Sequence, residues 1–98
     1  MKSHFLYRWA ISQWGRGAQI SMALEELIEL SHAIMKFIRR ENILTVEKIE
    51  EEIADVEIMM AQLRLIFNKN RINKIKAKKK RRLQKRLEEG LRNEPNTD

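Results

Sequence analysis

Apolar residues recur every three or four positions along most of the chain, and this spacing predicts helices. One continuous apolar stripe runs over 18–40 and a second over 46–68, so two long helices are expected there. Apolar positions at near-helical spacing predict a short first helix over 4–14, and a basic segment with isolated apolar residues predicts a third long helix over 71–91. No alternating β pattern, internal repeat or glycine-rich phosphate loop interrupts this order.

The predicted boundaries rest on local breaking and capping residues. "WGRG" at 14–17 places two glycines within four residues, which favours a turn. Thr45 is the candidate N-cap of the second long helix, with Lys48 rather than Glu at the third helical position, so a complete capping box is not expected. Asn68 and Asn70 mark a weak break, and Gly90 with "NEPNTD" is expected to end the last helix.

The length of 98 residues predicts one all-α domain over 1–92, followed by a frayed tail over 93–98. The expected architecture is a bundle of three main helices plus the short N-terminal helix. A chain of this size buries only a thin core by itself, so an oligomer is expected. The absence of Cys fits a reducing compartment, and no stretch has the composition of a signal peptide or membrane span. These features predict a cytoplasmic protein.

Two carboxylates interrupt the apolar stripe of the 46–68 helix. At about 100° per residue, Glu52 and Asp55 lie inside the apolar arc, whereas Glu47, Glu50 and Glu57 lie outside it. The arc itself consists of Ile49, Ile53, Val56, Met59, Met60, Leu63, Ile66 and Phe67. Burial of an ionised carboxylate without a partner costs several kcal/mol, so the pattern requires a compensating group.

The 18–40 helix offers a matching pair, Glu26 and Glu29, at the edge of its own apolar arc. Residues three apart lie on one helical face. Four carboxylates converging from two helices would form an all-oxygen site suited to Mg²⁺ or Mn²⁺. Taken alone, "EELIEL" is typical of an ordinary charged helix surface. The two pairs together favour a metal site.

A di-iron carboxylate site is the competing metal hypothesis, because it requires Glu-x-x-His on two helices. Glu29 and His32 form one such spacing, but the other histidine, His4, does not form a second. The absence of Cys and of paired His therefore disfavours redox iron or zinc. His32 is expected on a helix surface or between subunits.

These segments together resemble the MazG-like all-α nucleoside triphosphate pyrophosphohydrolases. The resemblance covers about residues 9–87 and rests on "WGRGAQISMALEELIELSHAIMKF", then "EEIADVEIMM", then the basic "KKRRLQKRL". The family hallmark, E-E-x-x-E followed by E-x-x-D, reads here Glu25-Glu26-x-x-Glu29 and Glu52-x-x-Asp55. Each half of the motif is unspecific, but the two halves together are considerably more specific.

The resemblance implies Mg²⁺-dependent hydrolysis of an NTP or dNTP between the α and β phosphates, giving a nucleoside monophosphate and pyrophosphate. It implies a four-helix-bundle-type core completed by dimerisation, as a homodimer or homotetramer. The implied metal ligands are Glu26, Glu29, Glu52 and Asp55. It also implies that Glu51 helps to position or activate water and that Lys48 contacts phosphate. Carboxylate-held metal chemistry needs no Ser, His or Cys nucleophile.

The charge of the chain is divided unevenly. Residues 1–68 carry 8 Lys or Arg and 10 Asp or Glu, whereas 69–98 carry 12 Lys or Arg and 4 acids. Three interpretations of the basic segment stay open. Lys79, Arg82 and Arg86, at basic positions of the family, could grip the triphosphate. The segment could bind nucleic acid, or its long side chains could simply cover apolar surface in solvent.

Trp9, Trp14 and Gln19 are the candidates for nucleobase recognition, because aromatic faces stack on bases and an amide can read a base edge. The alternative for both tryptophans is a place in the core. The main hypothesis is therefore an Mg²⁺-dependent (d)NTP pyrophosphohydrolase that serves nucleotide-pool sanitation. The alternatives are a non-catalytic helical module that binds nucleic acid through its basic helix, or an oligomerisation domain. Neither of those needs carboxylates inside an apolar stripe.

Overall fold

A computed structural model of the chain describes residues 1–92, and over these residues it contains four α-helices and no strand. They are α1 (Ser3–Trp14), α2 (Arg16–Arg39), α3 (Ile43–Ile66) and α4 (Lys69–Arg92). The all-α prediction with three long helices and one short helix is confirmed. None of the four helices is long and apolar enough to cross a bilayer. The predicted tail 93–98 lies outside the described residues.

The turn between α1 and α2 is Gly15. Its backbone has φ of +92°, a conformation that residues with a Cβ rarely adopt, which explains glycine at this position. Its N–H donates to the Ile11 carbonyl at 2.8 Å and closes the end of α1. Gly17, the other glycine of "WGRG", lies within α2, so this helix begins two residues before the predicted start.

The prediction of Thr45 as the N-cap of α3 is wrong, because Asn42 caps the helix. The Thr45 N–H donates to Asn42 Oδ1 at 3.0 Å, and the Asn42 N–H donates to Thr45 Oγ1 at 3.1 Å. This pair is a complete capping box in which Thr45 takes the position usually held by Glu or Gln. Thr45 therefore serves the N-terminus of α3 from inside the helix, which begins three residues before the predicted start.

Helices α2 and α3 form an antiparallel hairpin. Gln19 near the start of α2 bonds to Gln62 near the end of α3, and the Arg16 guanidinium lies 5.6 Å from the ring centroid of Phe67, which follows α3. Helix α1 packs against both. The buried residues of this hairpin are few: Gln19, Ala23, Ala33, Glu52, Met59 and Gln62. Half of them are polar, so the interface between the two helices encloses polar groups.

Helix α2 also has a second apolar face that this chain leaves open. Leu24, Ile28, Met35 and Ile38 lie within about 80° of one another around the helix axis, and all four are exposed. An apolar helix face exposed over about four turns is typical of an interaction surface.

The chain divides into two compact units, Met1–Phe67 and a second unit that begins at Asn68. The second unit contains α4, whose first turn is capped by Asn68: its Oδ1 accepts from the Arg71 N–H at 2.9 Å. Helix α4 continues through Gly90 to Arg92, one residue beyond the predicted end at 91, and the predicted stop "NEPNTD" lies outside the described residues. Every side chain of α4 from 73 to 92 is exposed, including the predicted apolar positions Ile75, Leu83, Leu87 and Leu91.

Candidate metal centre

Three of the four predicted metal ligands converge at the middle of the α2–α3 hairpin. Glu26 of α2 and Glu52 and Asp55 of α3 each place one carboxylate oxygen within 4.8 Å of the other two. The i,i+3 spacing on α3 brings Glu52 and Asp55 to one face, and the antiparallel pairing brings Glu26 opposite. We call these three residues the carboxylate cluster.

Glu52 lies at the centre of the cluster and is 2% exposed, the largest fully buried side chain among residues 1–92. Its Oε1 accepts from Lys48 Nζ at 2.9 Å. Within the described residues, its Oε2 and the Oε2 of Glu26 are buried and have no hydrogen-bond partner. Unpaired buried oxygens are costly and require an explanation. A bound cation would supply the missing partner for both.

The electrostatics of the cluster agree with this interpretation. Burial raises the pKa of Glu26, and the negative charges of Glu29, Asp55 and Glu52 raise it further. The hydrogen bond to Glu52 raises the pKa of Lys48, with the charges of Glu51 and Glu52 adding to the effect. The site thus concentrates negative charge on two facing helices, and Lys48 neutralises part of it.

The donor set fits a hard divalent cation. The three clustered side chains offer oxygen ligands only, which Mg²⁺ and Mn²⁺ prefer, and the protein contains no Cys. The other histidine, His4, lies on α1, where its ring is 4.2 Å from that of Phe5.

The other predicted active-site residues of the first unit lie beside the cluster rather than within it. Glu29 is outside the group of three but lines a groove with Glu52 and Lys48. Its negative charge raises the pKa of both Glu26 and Lys48. Glu51 is exposed, with its carboxylate 3.7 Å from Lys48 Nζ. The exposed position of Glu47, Glu50 and Glu57, predicted from the helical arc, is confirmed.

One groove beside the cluster is lined by amides, thioethers and an indole. It contains Glu26 and Asp55 of the cluster together with Trp14, Gln19, Met22, Ile58, Met59 and Gln62, and we call it the amide groove. Gln19 Nε2 donates to Gln62 Oε1 at 2.8 Å, and both side chains are buried. Gln62 Nε2 in turn donates to Met59 Sδ at 3.8 Å.

A second groove beside the cluster is lined by cationic and acidic groups. It contains Glu52 of the cluster with Glu29, His32, Ala33, Lys36 and Lys48, and we call it the lysine groove. His32 is on the helix surface, as expected, but it borders this groove. Lys36 and Gln62 were not predicted as site residues from the sequence. Gln62 interrupts the apolar stripe between Met59 and Leu63, and this interruption is the sequence feature that could have identified it.

The remaining predicted contacts lie on exposed surfaces of α1 and α4. Trp9 and Trp14 are 60% and 64% exposed, so neither is a core residue of this chain. Both line a surface groove on α1 with Leu6, Ala10 and Gln13, and Trp14 also borders the amide groove. Lys79, Arg82 and Arg86 lie on α4 in the second unit and are exposed.

Comparison with protein-family models, with curated proteins and with solved structures gives no match to this chain. The assignment of function therefore rests on the sequence motif and on the geometry of the cluster.

Proposed function

We propose that this chain is a divalent-cation-dependent nucleoside triphosphate pyrophosphohydrolase of the MazG-like type, which hydrolyses a (d)NTP to the monophosphate and pyrophosphate. The observation that carries the proposal is the buried, unpaired Oε2 of Glu52, grouped with Glu26 and Asp55. These residues occupy the motif positions E-E-x-x-E and E-x-x-D that the resemblance assigns to metal ligands. The burial of Glu52 is not needed by an oligomerisation domain or a nucleic-acid-binding helix.

In this proposal Glu26, Glu52 and Asp55 hold the cation, with Glu29 beside them as the fourth ligand of the motif. When bound, Mg²⁺ would neutralise phosphate charge and activate water, the two requirements of phosphoryl transfer. Lys48 pairs with Glu52 and is the proposed contact of a phosphate oxygen. Glu51 is accessible to solvent and is the candidate group for orienting the attacking water and receiving its proton.

The reaction is a hydrolysis and needs no further co-reactant. A water oxygen bonds to phosphorus on one side of the α–β bridge, the bridging P–O bond breaks, and a proton is released. The products are one nucleoside monophosphate and one pyrophosphate. Lys79, Arg82 and Arg86, which stand at basic positions of the family, are the proposed phosphate contacts. Trp9, Trp14 and Gln19 are the proposed base contacts, on the chemistry of their side chains. The proposed role in the cell is nucleotide-pool sanitation.

We include assembly as a homodimer or homotetramer in the proposal. The exposed apolar face of α2 supports this assembly. An apolar patch of this kind usually marks a surface that a partner covers, and here it consists of Leu24, Ile28, Met35 and Ile38. A second copy that covers this face would complete a four-helix core.

The test is incubation of the purified protein with each common NTP and dNTP in the presence of Mg²⁺, followed by chromatography of the products. We expect at least one nucleotide to give its monophosphate and pyrophosphate in equal amounts, and no turnover with EDTA. Formation of diphosphate with orthophosphate, or no reaction with any nucleotide in Mg²⁺ or Mn²⁺, would refute the proposal.

Helix α4 supports a second candidate function, nucleic-acid binding. Twelve of its 24 residues are Lys or Arg, including an unbroken run at 78–82, and only Glu88 and Glu89 oppose them. This charge is more than a single triphosphate requires.

If α4 binds DNA, a duplex of about 20 base pairs will be retarded in gels with an affinity that falls steeply with salt. Substitution of 78–82 by Gln will abolish the shift. Absence of any shift at physiological ionic strength would remove this candidate.

A further inference from the structure

The two grooves beside the carboxylate cluster differ in chemistry and lie towards opposite ends of the hairpin. Because α2 and α3 are antiparallel, Gln19 and Gln62 face each other towards the open end. Lys36 and Lys48 both lie towards the end where residues 40–42 connect the two helices. Along α2 the distance from Gln19 to Glu26, and again from Glu29 to Lys36, is about 10 Å at 1.5 Å per residue. The hairpin thus presents amides, then carboxylates, then cations, in that order along its axis.

The lysine groove has the groups that a polyphosphate needs. Lys36 approaches it from α2 and Lys48 from α3, and His32 lies one turn before Lys36 on the same helix face. Its two acids, Glu29 and Glu52, lie at the end adjoining the cluster, where a cation would neutralise them. Lysine ammonium groups bind phosphate as point charges, and hydrogen bonds between charged partners are about twice as strong as neutral ones.

The amide groove is suited to the other end of a nucleotide. Trp14, Met22, Ile58 and Met59 give it flat or adaptable apolar surface, which matches the face of a base or sugar. The groove has no basic residue among those that line it. Its polar groups outside the cluster are the indole N–H of Trp14 and the paired amides of Gln19 and Gln62, all of them uncharged groups that suit base edges.

We propose that the lysine groove is the binding site for the pyrophosphate portion of the substrate, with Lys36 and His32 as its contacts, while the nucleoside lies in the amide groove. This inference rests on the proposed function, since it sets the direction in which the nucleotide crosses the cluster. It adds two residues of the same unit, Lys36 and His32, to the phosphate contacts, and it makes pyrophosphate and monophosphate bind at separable places.

The experiment measures binding of each product separately by calorimetry in Mg²⁺: pyrophosphate, and the nucleoside monophosphates in turn. Lys36→Ala should weaken pyrophosphate binding about 10-fold or more, as expected for loss of one charged hydrogen bond, and should leave monophosphate binding unchanged. Trp14→Ala should weaken monophosphate binding and leave pyrophosphate binding unchanged. Arg39→Ala, which removes one positive charge from the same helix outside the groove, should affect neither. All three side chains are exposed, so the variants should fold.

Several results would overturn the inference: equal weakening of both products by Lys36→Ala, no effect of that change, an equal effect of Arg39→Ala, or a wild-type protein that binds no pyrophosphate. Because the readout is binding, it is independent of turnover. If the protein hydrolyses dNTPs to pyrophosphate but Lys36→Ala does not change pyrophosphate binding, the proposed function stands and the pyrophosphate site in the lysine groove is refuted. If the protein binds pyrophosphate through Lys36 but hydrolyses no nucleotide, the pyrophosphate site stands and the proposed function is refuted.

Discussion

Substitution of Glu52 by Gln should reduce nucleotide hydrolysis at least about 100-fold. Changing a residue that only supports a metal ligand already lowers metal affinity or activity about 10- to 100-fold, and Glu52 is proposed as a ligand itself. Glu52 is the most buried member of the cluster, and its Oε2 has no partner within residues 1–92. Gln has nearly the same shape but one ligand oxygen fewer and no charge. The measurement is the initial rate of pyrophosphate release at saturating Mg²⁺.

The same variant should remain folded, and its metal-free melting temperature should equal or exceed that of the wild type. Removal of a buried charge relieves a desolvation cost, whereas loss of the Lys48 pair costs little because Lys48 is exposed. Glu57→Gln is the matched control, since it makes the same chemical change on the solvent side of α3. Retention of hydrolysis within a few-fold by Glu52→Gln would refute the assignment of Glu52 as a ligand.

Divalent cation should stabilise the protein against heat, and this effect should grow as the pH rises. At a Mg²⁺ concentration of about 100 times the dissociation constant, binding contributes about 2.7 kcal/mol. For a domain of this size that corresponds to an increase in melting temperature on the order of 10 °C. The measurement is helical circular dichroism against temperature in EDTA and in Mg²⁺, at one protein concentration, between pH 4.5 and 8.

The sign of the pH effect follows from Glu26. Its pKa in the folded protein is raised above its ordinary value of 4.5, so the metal-free fold binds a proton more tightly than the unfolded chain. That contribution to stability is fully present below pH 4.5 and is lost as the pH rises through the folded pKa. Metal requires the deprotonated carboxylate. Metal-free stability should therefore fall over the range in which metal-induced stabilisation rises.

Glu26→Gln tests this linkage. In this variant the melting temperature in EDTA should no longer fall as the pH rises through the range of the Glu26 pKa. The increase in melting temperature caused by Mg²⁺ should also be smaller. A melting temperature in Mg²⁺ that equals the value in EDTA at every pH would contradict the account.

The helical architecture could be predicted from the sequence because apolar periodicity is a local property of each segment. The position of Glu52 could be predicted for the same reason, since the arc of α3 fixes which side chains face α2. Glu52 is buried and Asp55 half-buried, whereas Glu57 is exposed, as the arc required. The ends of the helices were less predictable. Asn42 and Thr45 are both good caps, and only their mutual hydrogen bonds show which residue precedes the helix.

Pairing between helices was the part that the sequence pattern did not provide. Gln62 looks like a polar interruption of an apolar stripe until Gln19 is placed opposite it. In the same way, Lys36 and Lys48 are ordinary helix-surface lysines until the antiparallel register brings them to one groove. Glu29 has the spacing of a ligand, yet the group of three forms without it, because helical spacing fixes a face but not the reach of a side chain.

The most direct test of the central claim is a calorimetric titration of the metal-free protein with Mn²⁺, repeated on Glu52→Gln and Glu57→Gln. The account predicts saturable binding to the wild type and to Glu57→Gln, and loss of most of that binding in Glu52→Gln. Equal binding to all three proteins, or no binding to the wild type, would show that the carboxylate cluster is not a metal site.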